Sequence, residues 1–152
     1  MEARRATADD IAELVRLRQV MMDSVWSEPP AEDWRTTCVA ILEQTLADGS
    51  MCAVVVDSPD GGLAACGVGM IAQRLPGPGC SSGRYGYIQS MSTDERWRRK
   101  GLGRAVVEGL MAWFAEEDVA RVDLHASAMG EPLYRSLGFT DPREPELRWR
   151  AS

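Results

Sequence analysis

The sequence predicts a mixed α/β fold, with an antiparallel early meander and helices flanking a central sheet. Three observations carry that prediction. Two β-forming runs, residues 51–56 and 63–72, bracket the turn cluster Asp57-Ser58-Pro59-Asp60-Gly61-Gly62 and so read as a hairpin. Residues 85–114, YGYIQSMSTDERWRRKGLGRAVVEGLMAWF, run from an uncharged strand through a basic glycine turn into a helix. In that helix Leu102, Val106, Leu110, Trp113 and Phe114 recur at three- and four-residue steps. Finally, the strand-like and helix-like segments follow one another in the order β-α-α-β-β-β-α-β-α-β.

In chain order, residues 1–5 form a short first strand. A helix follows with Asp9 as its cap and Ile11, Leu14, Val15 and Leu17 as its buried stripe, ending near Met22. Pro29 and Pro30 break it, because proline cannot continue a helix. A second helix is predicted over residues 31–46, with Val39, Leu42 and Leu46 inward and Asp48-Gly49 as its stop. In the hairpin's second strand, Ala64, Ala65, Gly67 and Gly69 predict close approach of a helix. Residues 74–84, RLPGPGCSSGR, are the most loop-like stretch. After the central strand and helix come a strand at residues 121–126 and a short helix opened by Glu131-Pro132. Gly138 is that helix's left-handed cap, and residues 146–151 are a final strand.

With 152 residues the chain is read as a single domain, residues 1–152, able to bury one core. No apolar run approaches the roughly 20 residues that cross a bilayer, and residues 1–10 lack a signal peptide's hydrophobic segment. Cys38, Cys52, Cys66 and Cys80 lack CxxC spacing, and one histidine cannot complete a Cys/His zinc set. Free thiols in the cytoplasm, with no metal, are therefore expected. A net charge of −6 argues against a nucleic-acid partner and favours a cationic one, through long-range steering.

Against that acidic background, residues 96–104 stand out. Arg96, Arg98, Arg99, Lys100 and Arg104 surround Gly101 and Gly103 at the start of the amphipathic helix. A helix N-terminus presents unsatisfied N–H groups and the positive end of the dipole, and glycine lets an anion approach the backbone. The turn reads as a phosphate cradle. It lacks the Lys-Ser/Thr of a nucleotide-triphosphate loop, and Val106 stands where the dinucleotide fingerprint needs a third glycine.

Arg98, Gly101 and Gly103 match the Arg-x-x-Gly-x-Gly signature, and the sequence here resembles the GNAT superfamily of N-acetyltransferases. Residues 125–139, HASAMGEPLYRSLGF, resemble that family's closing segment, in which a tyrosine precedes a Gly-Phe pair. The resemblance covers nearly the whole chain. It implies a sheet whose central strands splay apart to admit a cofactor, and acetyl-CoA, or another acyl-CoA, as donor. The pyrophosphate would rest on the backbone from Arg99 through Lys100, Gly101, Leu102 and Gly103 to Arg104, with Arg98 beside it. Met91 and Thr93 fall where the family binds the pantetheine arm and stabilises an oxyanion with strand N–H groups. Tyr134 matches the family's proton donor to the leaving thiolate, and Ser127 replaces an asparagine that holds the cofactor. This chain has Thr93-Asp94-Glu95 where the family often has Val-x-Pro.

The implied reaction is direct acetyl transfer to a primary amine on a small molecule or peptide. The alternative is a GNAT fold that senses acyl-CoA without turning it over. Dimers are frequent in the family, and a homodimer is compatible with the sequence. The general base stays open among Glu28, Glu32, Asp33, Glu95 and His125, or a water chain. Trp26, Trp34 and Tyr85 are candidate walls for the acceptor, although aromatics beside helices also serve as core.

Overall fold

A computed structural model describes residues 1–25 and 33–152 of the chain. Strands β1 (Ala3–Arg5), β2 (Met51–Asp57), β3 (Leu63–Gln73), β4 (Arg84–Thr93) and β5 (Val122–Leu124) form one sheet in sequence order. The first four are antiparallel neighbours, and β5 joins β4 in parallel. Helices α1 (Ile11–Val25) and α2 (Arg35–Asp48) cover one face; α3 (Leu102–Glu116) and α4 (Glu131–Ser136) belong to the other.

The strand β2 shows why both layers hold. Cys52, Val54 and Val56 pack under α3, while Ala53 and Val55 pack under α1 and α2, so alternation is hidden inside an unbroken apolar run. Val54, Val55 and Val56 are each at most 2% exposed, and full burial of such a side chain is worth about 1.5–3 kcal/mol. The small residues of β3 admit α3 as the sequence predicts. A Cβ on Gly67 would fall 2.8 Å from Val106 Cγ1, and one on Gly69 would fall 3.0 Å from Phe114 Cζ.

Several boundaries differ from expectation. The first helix is capped at Thr7 rather than Asp9, because Asp10 reaches back to accept the Thr7 N–H at 2.8 Å. A 3₁₀ turn over Ala8–Asp10 leads into α1, which runs to Val25. The start of α2 is Arg35, whose N–H donates to Asp33 Oδ1 at 3.0 Å, and it ends at Gly49 with φ +81° as predicted. The Pro29-Pro30 break lies outside the described residues. The strand β5 is confined to three residues of the expected six, and Gly138 adopts φ +98° after α4.

The predicted final strand over residues 146–151 does not form. Leu147 and Trp149 alternate as a strand requires, yet they are 88% and 85% exposed. A strand needs a ladder partner as well as a pattern. No strand pairs with β5 on its outer side among the described residues, and Pro142 and Pro145 remove two donors just upstream.

Candidate active site

The site begins where two strands part. The strand β5 pairs with Gly86, Tyr87 and Ile88 of β4 and stops, whereas β4 continues to Thr93. From Gln89 onward that edge of β4 has no strand beside it among the described residues. Within the same stretch β4 carries a bulge: Val68 lies opposite Gln89 and Cys66 opposite Ser92, so Gly67 alone faces both Ser90 and Met91. Ser90 takes φ +57°, and its carbonyl accepts from the Cys66 thiol at 3.5 Å. A bulge rotates the backbone and re-aims its polar groups, which suits a site built from main-chain donors. Burial pushes the Cys66 thiol up to about 12, so this cysteine is a packing group and not a nucleophile.

Beyond β4 the chain turns through Asp94 and a 3₁₀ segment, Glu95–Trp97, into the glycine turn. Asp94 anchors it. The carboxylate accepts the Arg96 N–H at 3.1 Å and Arg16 Nη1 at 3.0 Å, while its own N–H donates to the Ala64 carbonyl at 2.8 Å. Burial alone would raise the Asp94 pKa; hydrogen bonds from Arg96 and Arg16 outweigh it and hold the carboxyl below its ordinary range. Arg99 and Gly101 then take φ +64° and +78°, the left-handed geometry that ends the turn. Ala105 is the residue whose N–H first closes onto the turn, at 3.3 Å from Gly101 O. Among the described residues, the N–H groups from Arg99 to Arg104 have no backbone partner. A Cβ on Gly101 would meet nothing within 4 Å, so open space lies beside the turn at Gly101.

The cationic side chains divide into two groups. Arg96 is engaged by Asp94, Arg98 donates to the Thr93 carbonyl at 3.3 Å and lies 4.0 Å from Glu95, and Arg104 donates to Ser136 Oγ at 2.8 Å. Arg99 and Lys100 are exposed and have no ion pair among the described residues.

Tyr134 is brought to the same turn by helix packing. Gly103 lies close under Leu133, where a Cβ would be 3.3 Å from Leu133 Cδ2, so α4 rests on the first turn of α3. Tyr134 is 8% exposed and stands edge-on to Phe139 at 5.9 Å between centroids. Burial raises the phenol's pKa above its ordinary value. Ser127 closes the turn that leads into α4: its hydroxyl accepts the Gly130 N–H at 3.1 Å and its carbonyl accepts the Glu131 N–H at 2.9 Å. Met91 is half-buried against the α3 core, and Thr93 closes β4 opposite Ala65.

The other candidates scatter. Trp34 packs on the α1–α2 core, whereas Tyr85 stands at the start of β4 between Arg74 and Arg121, 5.6 and 5.1 Å from its ring. Trp26, Glu28 and Glu32 lie outside the described residues. Asp33 pairs with Arg35, and Glu95 is 82% exposed beside Arg98. His125 alone joins a cluster at the gap, with Tyr87 and Glu146. Sequence reading missed those two partners, and no local signal marks residues 38 and 21 positions away.

The fold is shared with known proteins. The model of the Acetyltransferase (GNAT) family matches residues 14–139. The fold is similar to that of a predicted acetyltransferase with acetyl-CoA from Clostridium acetobutylicum, at TM-score 0.86 and 24% identity, covering 97% of this chain and 95% of that one. A GCN5-related N-acetyltransferase from Ralstonia eutropha JMP134 gives TM-score 0.81 and 28% identity, covering 97% of both chains. Glucosamine-6-phosphate N-acetyltransferase from Arabidopsis thaliana gives 0.76 and 20%, again covering 97% of each. No curated protein sequence matches significantly. With its family model spanning most of its length and its parted central strands, the chain belongs to the GNAT acetyltransferase family.

Proposed function

We propose that the chain is an N-acetyltransferase that moves the acetyl group of acetyl-CoA to a primary amine by direct attack. The observation that carries this reading is the run of unpartnered N–H groups from Arg99 to Arg104 beside the free edge of β4. The donors would hold a diphosphate, and the free edge of β4 would hold an extended arm. Acetyl-CoA supplies an activated thioester carbonyl.

The protein's own groups divide the work. Backbone donors from Arg99 to Arg104 hold the pyrophosphate, and Arg99 and Lys100, free of ion pairs among the described residues, add charge from outside. Arg98 braces the turn through the Thr93 carbonyl. The free edge of β4 from Gln89 to Thr93 binds the pantetheine arm as an added strand would. A bulge N–H near Met91 donates to the developing oxyanion in this reading, where a fixed donor acts most strongly. Tyr134, kept protonated by burial, gives its proton to the departing thiolate. Ser127 contributes by fixing the start of α4, and a further contact to the cofactor is part of the proposal.

The test is release of free CoA thiol from acetyl-CoA across a panel of amines, with binding of acetyl-CoA measured in parallel by calorimetry. Amine-dependent thiol release supports the reading. Tight binding with no transfer to any amine would replace it with a non-catalytic acyl-CoA-binding module.

A further inference from the structure

Tyr87, His125 and Glu146 meet at the mouth of the gap. His125 Nδ1 lies 2.9 Å from Tyr87 Oη, and Nε2 lies 2.6 Å from Glu146 Oε2. The rings of Tyr87 and His125 stand edge-on at 5.8 Å and 81°. A carboxylate only accepts, so Nε2 must donate to Glu146. In a neutral ring Nδ1 is then the acceptor, and the Tyr87 hydroxyl donates to it. Hydroxyl, imidazole and carboxylate therefore follow one another as in a nucleophile–base–orienter triad, with a phenol at the working end.

Their place in the fold fixes what the phenol faces. Gly86 and Ile88 point toward α3: a Cβ on Gly86 would fall 2.9 Å from Phe114 Cδ1, and Ile88 belongs to the α3 core. Tyr87, between them, points to the opposite face, where α1 lies. On β5, Val122 and Leu124 also pack on the α3 core, so Asp123 and His125 share the face of Tyr87. Leu124 is the last residue paired with β4, and His125 is the first beyond it. An open cleft of about 460 Å³, lined by His125, Glu146, Leu147, Arg148 and Trp149, adjoins the pair. Tyr134 belongs to the α3 side of the sheet. The two tyrosines thus approach the gap from opposite faces.

We infer that Tyr87, His125 and Glu146 form a proton relay that accepts the proton of the incoming amine. The inference rests on the acyltransferase reading above. The ammonium proton passes to Tyr87 Oη as the Tyr87 hydroxyl proton passes to His125 Nδ1. The resulting imidazolium is held by the Glu146 carboxylate. The freed amine lone pair forms the C–N bond, the C–S bond breaks, and the thiolate takes the Tyr134 proton; the second proton, shed by the acylated nitrogen, restores Tyr134, and His125 returns the first to solvent. Burial raises the Tyr87 pKa, with Glu146 and Asp123 acting in the same direction and Arg148 against. The phenol therefore stays protonated between turnovers and hands protons on.

A structural role, pinning the segment after α4 to β5, would give the same hydrogen bonds, and the experiment separates the two. Tyr87→Phe, His125→Gln and Glu146→Gln are compared with wild type using two probes at neutral pH. The first is n-butylamine, an ammonium ion with a pKa near that of lysine, about 10.4. The second is hydroxylamine, which is already uncharged and needs no base. The relay predicts that kcat with n-butylamine falls about 10²-fold or more in Tyr87→Phe and His125→Gln. Hydroxylamine turnover should fall far less, and the KM for acetyl-CoA and the Tm should stay near wild type. His125 is the chain's one histidine, so long-range ¹H–¹⁵N spectra read its tautomer directly. Nε2–H is expected, with an Nδ1 shift in Tyr87→Phe. Wild-type turnover in the variants, equal losses with both probes, or an Nδ1–H tautomer would overturn the relay alone. No thiol release by the wild-type protein with either probe or with any amine of the panel would remove the acyltransferase reading and the relay with it.

Discussion

Two tyrosine hydroxyls approach the gap with different partners. That of Tyr87 is bonded to an imidazole, while that of Tyr134 has no hydrogen-bond partner among the described residues. An unpartnered phenol inside a packed cluster, with its pKa raised by burial, holds its proton and has no competing acceptor. Tyr134→Phe keeps the ring and its edge contact with Phe139, so Tm should change little. With a saturating amine, turnover should fall by about 10²–10⁴-fold if the phenol is the general acid, less where water substitutes. Acetyl-CoA affinity should stay near wild type. Because the acid form is the working form and its pKa is raised, wild-type turnover should persist to higher pH than an unperturbed phenol would allow. Loss seen only in KM would make Tyr134 a binding hydroxyl.

The start of α3 is the element on which donor binding turns, and Gly101 separates its two requirements. Any side chain there suffers the left-handed φ of +78°, at a cost of about 1–2 kcal/mol, although a Cβ meets open space. Gly101→Ala carries that strain without charge; Gly101→Glu adds a carboxylate over the helix N-terminus. Calorimetry should show acetyl-CoA binding weakened far more in Glu than in Ala, at similar Tm. Equal affinities would dissociate the turn from the phosphates. This element was legible in the sequence because glycine turn, basic residues and helix period are all local. So was the packing of β3 on α3, since Gly67 and Gly69 leave room only for a helix. The β4 bulge was not legible, because Ser90 and Met91 look like any strand residues until Gly67 opposes both. The alternation of Leu147 and Trp149 misled for the converse reason: it records a strand pattern, and the missing partner is a property of the sheet. The cluster of Tyr87, His125 and Glu146 was not legible either, because its members are distant in sequence.

Across the whole molecule, one guanidinium ties the α1 layer to the sheet and to the cradle. Arg16 donates to Glu13 at 2.6 Å, to Asp94 at 3.0 Å and to the Leu63 carbonyl at 3.0 Å, while Glu13 accepts the Leu63 N–H at 2.8 Å. Arg16 holds the Glu13 carboxyl below its ordinary range against the opposing effect of burial. Both Glu13 and Asp94 have depressed folded values, so their contribution to stability is complete above the ordinary carboxylate range, about pH 4, and is lost as pH falls through those lower values. Thermal melts should show that acid loss in the wild-type protein. Arg16→Met should lose about 1 kcal/mol at neutral pH, discounted for the 40% exposure of the Arg16 side chain, or about 2–4 °C in Tm. Its melting temperature should fall less steeply on acidification; an unchanged acid profile would take the network out of this role. The sheet's margins have a different consequence. Its most β-prone run, Ala53-Val54-Val55-Val56, is closed on both sides, by β1 and by β3. The outermost strands, β1 and β5, are each three residues long, roughly 10 Å at 3.3 Å per residue. Arg4 and Arg5 on one margin and Asp123 on the other add charge. At β1 and β5 an extended segment of another chain therefore finds too little backbone to template growth, and the unpaired length of β4 from Gln89 to Thr93 is interrupted by its bulge.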